Sequence, residues 1–334
     1  MGVAAPTCMA AFPHAAELCP ANAAIRRTRK PKQEPMELPM HGRLDRRSVI
    51  VGAAASLMAS SAFAAGETPR ETEAATKLAA IEAKVGGRIG IAALDTGSGK
   101  RIERRADQRF PLCSTFKLLA AAAVLRRVDD GKEKLDRLVP YGESDILSYA
   151  PVTKLHAKEG AMTLAALCEA AIEVSDNTAG NLLPATLGGP AGLTAYLRSI
   201  GDQTTRLDRT EPTLNTAIPG DERDTTTPFA MLATMQILLL GEALSPGSRE
   251  RLEGWLVETK TGTGLIRAGT PADWRVGDKT GRGDNNAWND VAILRPPGRA
   301  PVLLAIYTVE QSAPDDMHKS AVADTTRIAI EALV

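Results

Sequence analysis

The sequence predicts an α/β fold: an antiparallel sheet built from both chain ends and flanked by helices, with an all-helical domain inserted between them. Three observations point there. A helical pattern near the start of the globular region leads into an alternating, hairpin-like segment. The stretch from about Cys113 to Leu256 is mostly of helical period. Near the C-terminus, Trp274 to Thr280, Val291 to Leu294 and Val302 to Val309 read as three adjacent strands.

Taken in order, residues 1–39 are rich in Ala, Pro and Arg and show no periodicity. From Met40 the chain reads as an export signal. Arg43, Arg46 and Arg47 form a basic start, Val49 to Met58 an apolar stretch too short to span a bilayer, and Ala62-Phe63-Ala64 a small-x-small cleavage site. The adjacent arginines suit a twin-arginine signal, with an ordinary secretory signal as the alternative and an uncleaved anchor as a third. Such a signal belongs at a precursor's N-terminus. The expectation is therefore that translation starts at Met36 or Met40, that 1–39 is untranslated or disordered, and that 40–65 is cleaved near Ala64/Ala65 to release a periplasmic or secreted chain.

In the globular region, Thr68 caps a helix whose apolar positions Ala75, Leu78, Ala79 and Ile81 recur at helical spacing, and Gly86-Gly87 ends it. Ile89, Ile91 and Ala93 alternate, Thr96-Gly97-Ser98-Gly99 turns, and Arg101 to Arg104 returns. Leu118 to Val128 is apolar nearly all round, which marks a buried helix ending at Asp130-Gly131. Met162 to Ile172 is a second helix, and Thr227-Pro228 opens a third that runs through Phe229 to Leu240. Between those two lies a long polar stretch, Arg206 to Thr227, with no period; loops of that length inside a compact domain are usually functional. Pro296-Pro297-Gly298 joins the last two strands, and Ala313-Pro314 leads into a final helix. The expected division is an α/β domain from 66–112 and 258–334, and an all-α domain from 113–257 that carries the loop 206–224.

Composition excludes several functions. Of 334 residues, 40 are Lys or Arg and 40 are Asp or Glu, so the basic excess of a nucleic-acid binder is missing. Residues 1–65 hold eight basic and four acidic residues, which leaves 32 against 36 in the mature chain; that small acidic excess argues against an anionic membrane surface. His14, His41, His156 and His318 form no close pair, so no metal site is expected.

The chemistry starts at Ser114-Thr115-Phe116-Lys117. Residues three apart share a helix face, so Lys117 stands beside Ser114. A serine hydroxyl needs a partner to take its proton, a desolvated lysine can do so, and a helix N-terminus offers N–H groups to an oxyanion. By composition alone roughly one S-x-x-K arises by chance in a chain of this length. Ser175-Asp176-Asn177 adds a hydroxyl that can shuttle a proton and an amide that can orient a substrate. Lys279-Thr280-Gly281 adds a cation, a hydroxyl and a glycine that admits close approach. Lys260-Thr261-Gly262 has the same letters, but it follows a helical segment and reads as a helix-end loop, whereas the copy at 279 continues a strand.

In this order the three motifs resemble those of the penicillin-recognising serine enzymes, and of the class A β-lactamases in particular. Arg206-Leu-Asp-Arg-Thr-Glu-Pro-Thr-Leu-Asn215 followed by Asp221-Glu-Arg-Asp224 is similar to the omega loop of that class. The resemblance covers most of residues 66–334 and implies the family's fold and a monomer without cofactor. The implied reaction is hydrolysis of the β-lactam amide of penicillins and cephalosporins through a serine acyl-enzyme. It makes Ser114 the nucleophile, Lys117 or a water on Glu211 the acylating base, and Glu211 the deacylating base. Asn215 would help hold the water, and Arg209 and Asp224 would form the ion pair closing the loop. It further implies a cis Glu211-Pro212 bond, an oxyanion site at the backbone N–H groups of Ser114 and Arg282, and proton transfer through Ser175. Lys279, Thr280 and Ser175 would bind the substrate carboxylate with Gly281 beside them. Asn177 would hold the amide side chain, and Tyr149 would form a wall.

The chain departs from the pattern on one edge. The arginine that commonly assists with the carboxylate is absent: the strand position seven after Gly281 is Trp288, and an alternative position is Leu265. Arg282, Lys319 and His318 are candidate substitutes, and Arg282 itself replaces a small residue. Cys113 and Cys168 are expected as two free thiols, because the partner positions that relatives use are Ala121 and Gly283. His156 and His318 are expected as surface or capping residues, and Trp255 and Trp274 as core. The alternatives are a D,D-peptidase, against which Glu211 in its loop discriminates; a serine esterase, which would need G-x-S-x-G where the chain has Pro111-Leu112-Cys113-Ser114-Thr115; and a catalytically weak periplasmic binding protein of the same fold.

Overall fold

Helix α1 (Pro69–Val85) opens the part of the chain that the computed structural model describes, residues 69–334. The expected export signal, its upstream segment and Thr68 lie outside the described residues. Strands β1 (Arg88–Asp95) and β2 (Arg101–Arg104) form the expected hairpin, closed by Asp95, whose Oδ1 accepts from the Gly97 N–H and whose Oδ2 accepts from the Ser98 hydroxyl. The next elements are β3 (Phe110–Pro111), a 3-10 turn at Cys113–Thr115, α2 (Phe116–Asp129), and the short strands β4 (Leu138–Pro140) and β5 (Ala161–Thr163). Then come α3 (Leu164–Glu173), α4 (Asn177–Thr186), α5 (Gly189–Ser199), β6 (Thr225–Thr226), α6 (Pro228–Leu239), α7 (Pro246–Val257) and α8 (Ile266–Gly269). Strands β7 (Arg275–Gly283), β8 (Ala287–Arg295) and β9 (Val302–Val309) precede the last helix, α9 (Asp315–Leu333).

Both chain ends build one five-stranded antiparallel sheet of order β2-β1-β9-β8-β7. Successive residues of a strand face opposite sides, and here both sides are covered. Leu303, Ala305, Tyr307 and Val309 of β9 join the core shared with α2, α3 and α6, while Val302, Leu304 and Ile306 join a second core with α1 and α9. A sheet covered on both faces reads as continuous apolar runs rather than clean alternation, as the last strand does. The helix expected around Leu118 is α2, with Phe116 through Leu125 all buried among α3, α4, α5 and α7. Truncating a leucine such as Leu119 to Ala there costs about 2–5 kcal/mol.

Several boundaries differ from the sequence reading. Met162 belongs to β5, and α3 starts at Leu164 with Thr163 as its N-cap, its hydroxyl accepting from the Ala166 N–H. Strands β7 and β8 are longer than predicted and meet in a tight hairpin where Asn285 and Asn286 take positive φ. The sequence hid the start of β8 because Asn289 and Asp290 are polar, yet both are fully buried in the sheet. Helix α4 went unread because it holds Gly180 and Pro184. Cys113 and Cys168 are free and buried, as expected. Trp255 is buried and Trp274 packs against the second core. His156 lies on the surface against Glu159, but His318 is fully buried beside Trp288, because α9 packs that face onto the sheet.

Candidate active site

The turn that carries Ser114 is placed by strain and close packing. Cys113, just before Ser114, has a φ of 45°, and Ser175, at the junction of α3 and α4, has a φ of 60°. Non-glycine residues in the left-handed region persist only where the surroundings over-determine them, and they cluster at functional sites. Behind the turn, Asn289 Nδ2 donates to the Pro111 carbonyl at 2.8 Å. Strand β7 passes so near that a Cβ on Gly281 would lie 3.0 Å from the Leu112 carbonyl oxygen and 3.2 Å from Cys113 Cβ. A Cβ on Gly180 would stand 2.5 Å from Lys117 Cε, so that glycine admits the lysine side chain past α4.

Lys117, fully buried, donates to the Ser175 carbonyl at 2.8 Å and to Asn177 Oδ1 at 2.7 Å, and lies 3.2 Å from Glu211 Oε1. Ser114 Oγ donates to the same Glu211 Oε1 at 3.3 Å. Lys279, also fully buried, donates to Ser175 Oγ at 3.0 Å and to its neighbour's carbonyl, Thr280 O, at 2.8 Å. Burial pushes the Lys117 ammonium down, against the pull of Glu211. Burial, with the Lys117 charge second, pushes Lys279 down to about 7. Burial pushes the Cys113 thiol up, which keeps it protonated.

The loop 206–224 is closed from within. Asp224, fully buried at a φ of 56°, accepts from the Asp208 and Arg209 N–H groups and pairs with Arg209 Nε at 2.5 Å. The Leu112 N–H donates to the Asp224 carbonyl, and β3 pairs with β6, so the loop's end is fastened to the segment that leads into Ser114. The Glu211-Pro212 bond is cis. Asn215 Nδ2 donates to Glu211 Oε2 at 2.5 Å. Asn181 was not singled out from the sequence. It grips the Glu211 backbone from both sides, accepting from its N–H at 2.8 Å and donating to its carbonyl at 3.0 Å. Its only sequence signal is its position one turn after Asn177 on α4.

Ser114, Tyr149, Ser175, Asn177, Asn215, Thr280, Gly281 and Arg282, all named from the sequence, line one cleft of about 440 Å³, with Thr261, Leu265 and Trp288 completing it. Lys117, Lys279 and Glu211 are bonded into its floor. Lys260-Thr261-Gly262 is indeed a loop after α7, but not a bystander: Thr261 Oγ1 shares a 2.7 Å hydrogen bond with Thr280 Oγ1.

A profile described as the β-lactamase enzyme family matches residues 73–333. The chain is 48% identical over 257 residues to β-lactamase AST-1 of Nocardia asteroides, covering 77% of this chain and 83% of that protein. It is 47% identical over 260 residues to the carbapenem-hydrolysing β-lactamase KPC of Klebsiella oxytoca, covering 78% and 88%. Among solved structures, an ancestral class A β-lactamase matches with a TM-score of 0.76 and 57% identity over 78% of this chain and 99% of that one. The putative class A β-lactamase PenP of Rhodopseudomonas palustris matches with a TM-score of 0.76 and 51% identity over 78% and 99%.

The chain belongs to the class A β-lactamases. This β-lactamase differs from the family pattern on the cleft wall formed by Arg282 and Trp288. Trp288 is the cross-strand partner of Arg282, whose guanidinium stacks 4.3 Å above the indole and pairs with Asp315 at 2.7 Å. Lys319 lies 5.6 Å from the same ring and pairs with Asp316. Of the three candidate substitutes for the missing arginine, Arg282 lines the cleft, while Lys319 and His318 lie against Trp288 but are not part of the lining. Beneath β7, Arg267 is paired with Asp278, and Asp278 and Asp290 are buried side by side.

Proposed function

We propose that this β-lactamase hydrolyses the lactam amide of penicillins and cephalosporins through a Ser114 acyl-enzyme. The observation that carries the reading is the single buried network in which Ser114, Lys117, Ser175, Glu211 and Lys279 are joined by hydrogen bonds and one ion pair. Ser114 Oγ attacks the lactam carbonyl, and its proton passes to Glu211, directly or through a water; its own hydrogen bond to Oε1 favours the glutamate, with Lys117 as the neighbouring base. The N–H groups of Ser114 and Arg282 receive the oxyanion. Ser175, in contact with both lysines, hands a proton to the departing nitrogen. Glu211, held by Asn181 and Asn215, then activates the water that frees Ser114.

Lys279, Thr280 and Ser175 take the substrate carboxylate beside Gly281, with Arg282 as the additional cation on that wall. Asn177 and Tyr149 hold the acylamino side. The enzyme acts as a monomer, without cofactor, after export and cleavage near Ala64/Ala65; no helix among the described residues is long and apolar enough to cross a membrane.

Steady-state hydrolysis of a chromogenic cephalosporin tests the reading. The purified enzyme turns it over continuously, Ser114→Ala abolishes turnover, and Glu211→Ala accumulates an acyl-enzyme visible by mass spectrometry. A burst without turnover in the unaltered enzyme points instead to a D,D-peptidase, and normal turnover by Glu211→Ala removes the glutamate from deacylation.

A further inference from the structure

A cavity of about 400 Å³ lies between the C-terminal half of α2 and α5, lined by Ala123, Arg126, Arg127, Leu187, Tyr196 and Ile200 among others. By helix rise, Arg127 is about 15 Å along α2 from Lys117, so this cavity is separate from the cleft. Its size is that of a small-molecule pocket. Two of its polar atoms lack partners: Tyr196 Oη and Arg127 Nε are both buried without a hydrogen bond. Buried polar groups in native structures are almost always satisfied, by protein, water or ligand. Burial pushes the Tyr196 phenol up, so it remains a donor.

The charges around the cavity favour an anion. Asp130 is shared by Arg126 at 3.0 Å and Lys132 at 3.1 Å, and the Arg127 side chain makes no hydrogen bond or ion pair among the described residues. The lining itself holds three cations and one carboxylate. Glu133, whose charge also reaches Arg127, is paired with Arg137, and Asp129, whose charge reaches Tyr196, accepts from Ser245 and Ser248. The opposing influence is the C-terminal end of α2, equivalent to about half a negative charge. It is already blunted, because the Arg126, Arg127 and Val128 carbonyls accept from the Asp130, Lys132 and Gly131 N–H groups. Ala123, Leu187 and Ile200 supply an apolar wall.

We infer that this cavity is a second binding site, for a small organic carboxylate whose oxygens accept from Tyr196 Oη and Arg127 Nε and whose apolar body lies against Ala123, Leu187 and Ile200. The site stands on its own geometry and is independent of the catalytic proposal.

The test uses 1-naphthoate and its neutral counterpart 1-naphthylmethanol, by isothermal titration against the purified enzyme and by a crystal structure with naphthoate present. Naphthoate binds in this cavity with its carboxylate on Tyr196 and Arg127. Tyr196→Phe and Arg127→Gln each weaken it about tenfold, the worth of a hydrogen bond to a charged group, and the alcohol binds at least tenfold more weakly. Tyr196→Phe removes an oxygen with no protein partner, so its melting temperature matches that of the unaltered enzyme. Four results overturn the assignment: unchanged affinity in both variants, equal binding of the alcohol, naphthoate found only beside Ser114, or a lone ordered water satisfying Tyr196 Oη in crystals soaked with naphthoate. The ligand comparison and the crystal structure decide the matter even where a variant folds poorly.

Discussion

On the Ser114 side of the cleft, Ser114, Lys117, Ser175, Glu211 and Lys279 are each 8% exposed or less and are bound to one another. On the opposite edge, the Arg282 side chain is 61% exposed and held by one surface ion pair and the face of one indole. A buried charged group must be partnered, so on the inner side each residue dictates the next. An exposed group has water as an alternative partner, so on the outer side residues can exchange while the fold stays. The inner side should therefore fail abruptly on substitution and the outer side by degrees.

The sharpest test of that contrast outside the reacting groups is Asn181→Ala. Asn181 is not among the residues that line the cleft, and its side chain bonds the backbone of Glu211. Losing both bonds lets the carboxylate drift, and a displacement of about 1 Å can lower a rate about 10²-fold. The expected outcome is a kcat on a chromogenic cephalosporin reduced by roughly that factor, with acyl-enzyme accumulating. A variant that lowered only the melting temperature would make Asn181 a structural residue.

How much was legible follows the same division. The hairpin, α2 and β9 could be read because their patterns are local, alternation and an all-apolar helix; the inner-side residues came from three short motifs taken in order and, for Glu211, from the resemblance of its loop to the family's omega loop. The grip of Asn181 on Glu211 could not, since it joins residues 30 apart through backbone atoms that no letter encodes. Thr261 was set aside as part of a second Lys-Thr-Gly, although the loop folds back to pair it with Thr280. The start of β8 was missed because Asn289 and Asp290 look like loop residues. They are tolerable in the sheet because Asn289 bonds the Pro111 carbonyl and the Thr308 N–H, and Asp290 accepts from the Ile266 N–H.

A pH profile sharpens the comparison from the inner side. Burial and the Lys117 charge hold Lys279 down to about 7. Its cationic form binds a carboxylate and is present below that value. For an anionic β-lactam, kcat/KM therefore falls above about pH 7, approaching tenfold per pH unit. An uncharged ester of the same substrate should lack that alkaline limb. An identical limb for acid and ester would assign it to another group, Lys117 being the first candidate.

From the outer side, Arg282→Gln removes an exposed cation. Exposed charge interactions are worth about 1 kcal/mol or less, so KM for a carboxylate substrate should rise up to about fivefold with kcat nearly unchanged. Lys319→Gln should do less, because Lys319 lies outside the cleft lining. A loss of 10²-fold in kcat for Arg282→Gln would break the contrast, by placing that wall in the chemistry instead of in binding.

The smallest effect concerns the acid pair under β7. Asp278 Oδ2 and Asp290 Oδ1 are buried without a donor from another residue, and the two carboxyls are within hydrogen-bonding reach of each other. A proton held between them would supply the missing donor. Burial raises both carboxyls, and for Asp290 the charge of Asp278 adds to it. A group whose folded pKa lies above its unfolded value stabilises the fold below the unfolded value, near 4. That contribution declines as pH rises above it and is lost by the time the folded pKa is passed. Asp290→Asn keeps an oxygen for the Ile266 N–H and gives Asp278 a permanent donor. The variant should melt near the unaltered enzyme at pH 4 and above it at pH 8, with a flatter dependence between, read by circular dichroism. Parallel curves would show that no proton is held between the two, and that the inner side tolerates two adjacent charges that burial argues against.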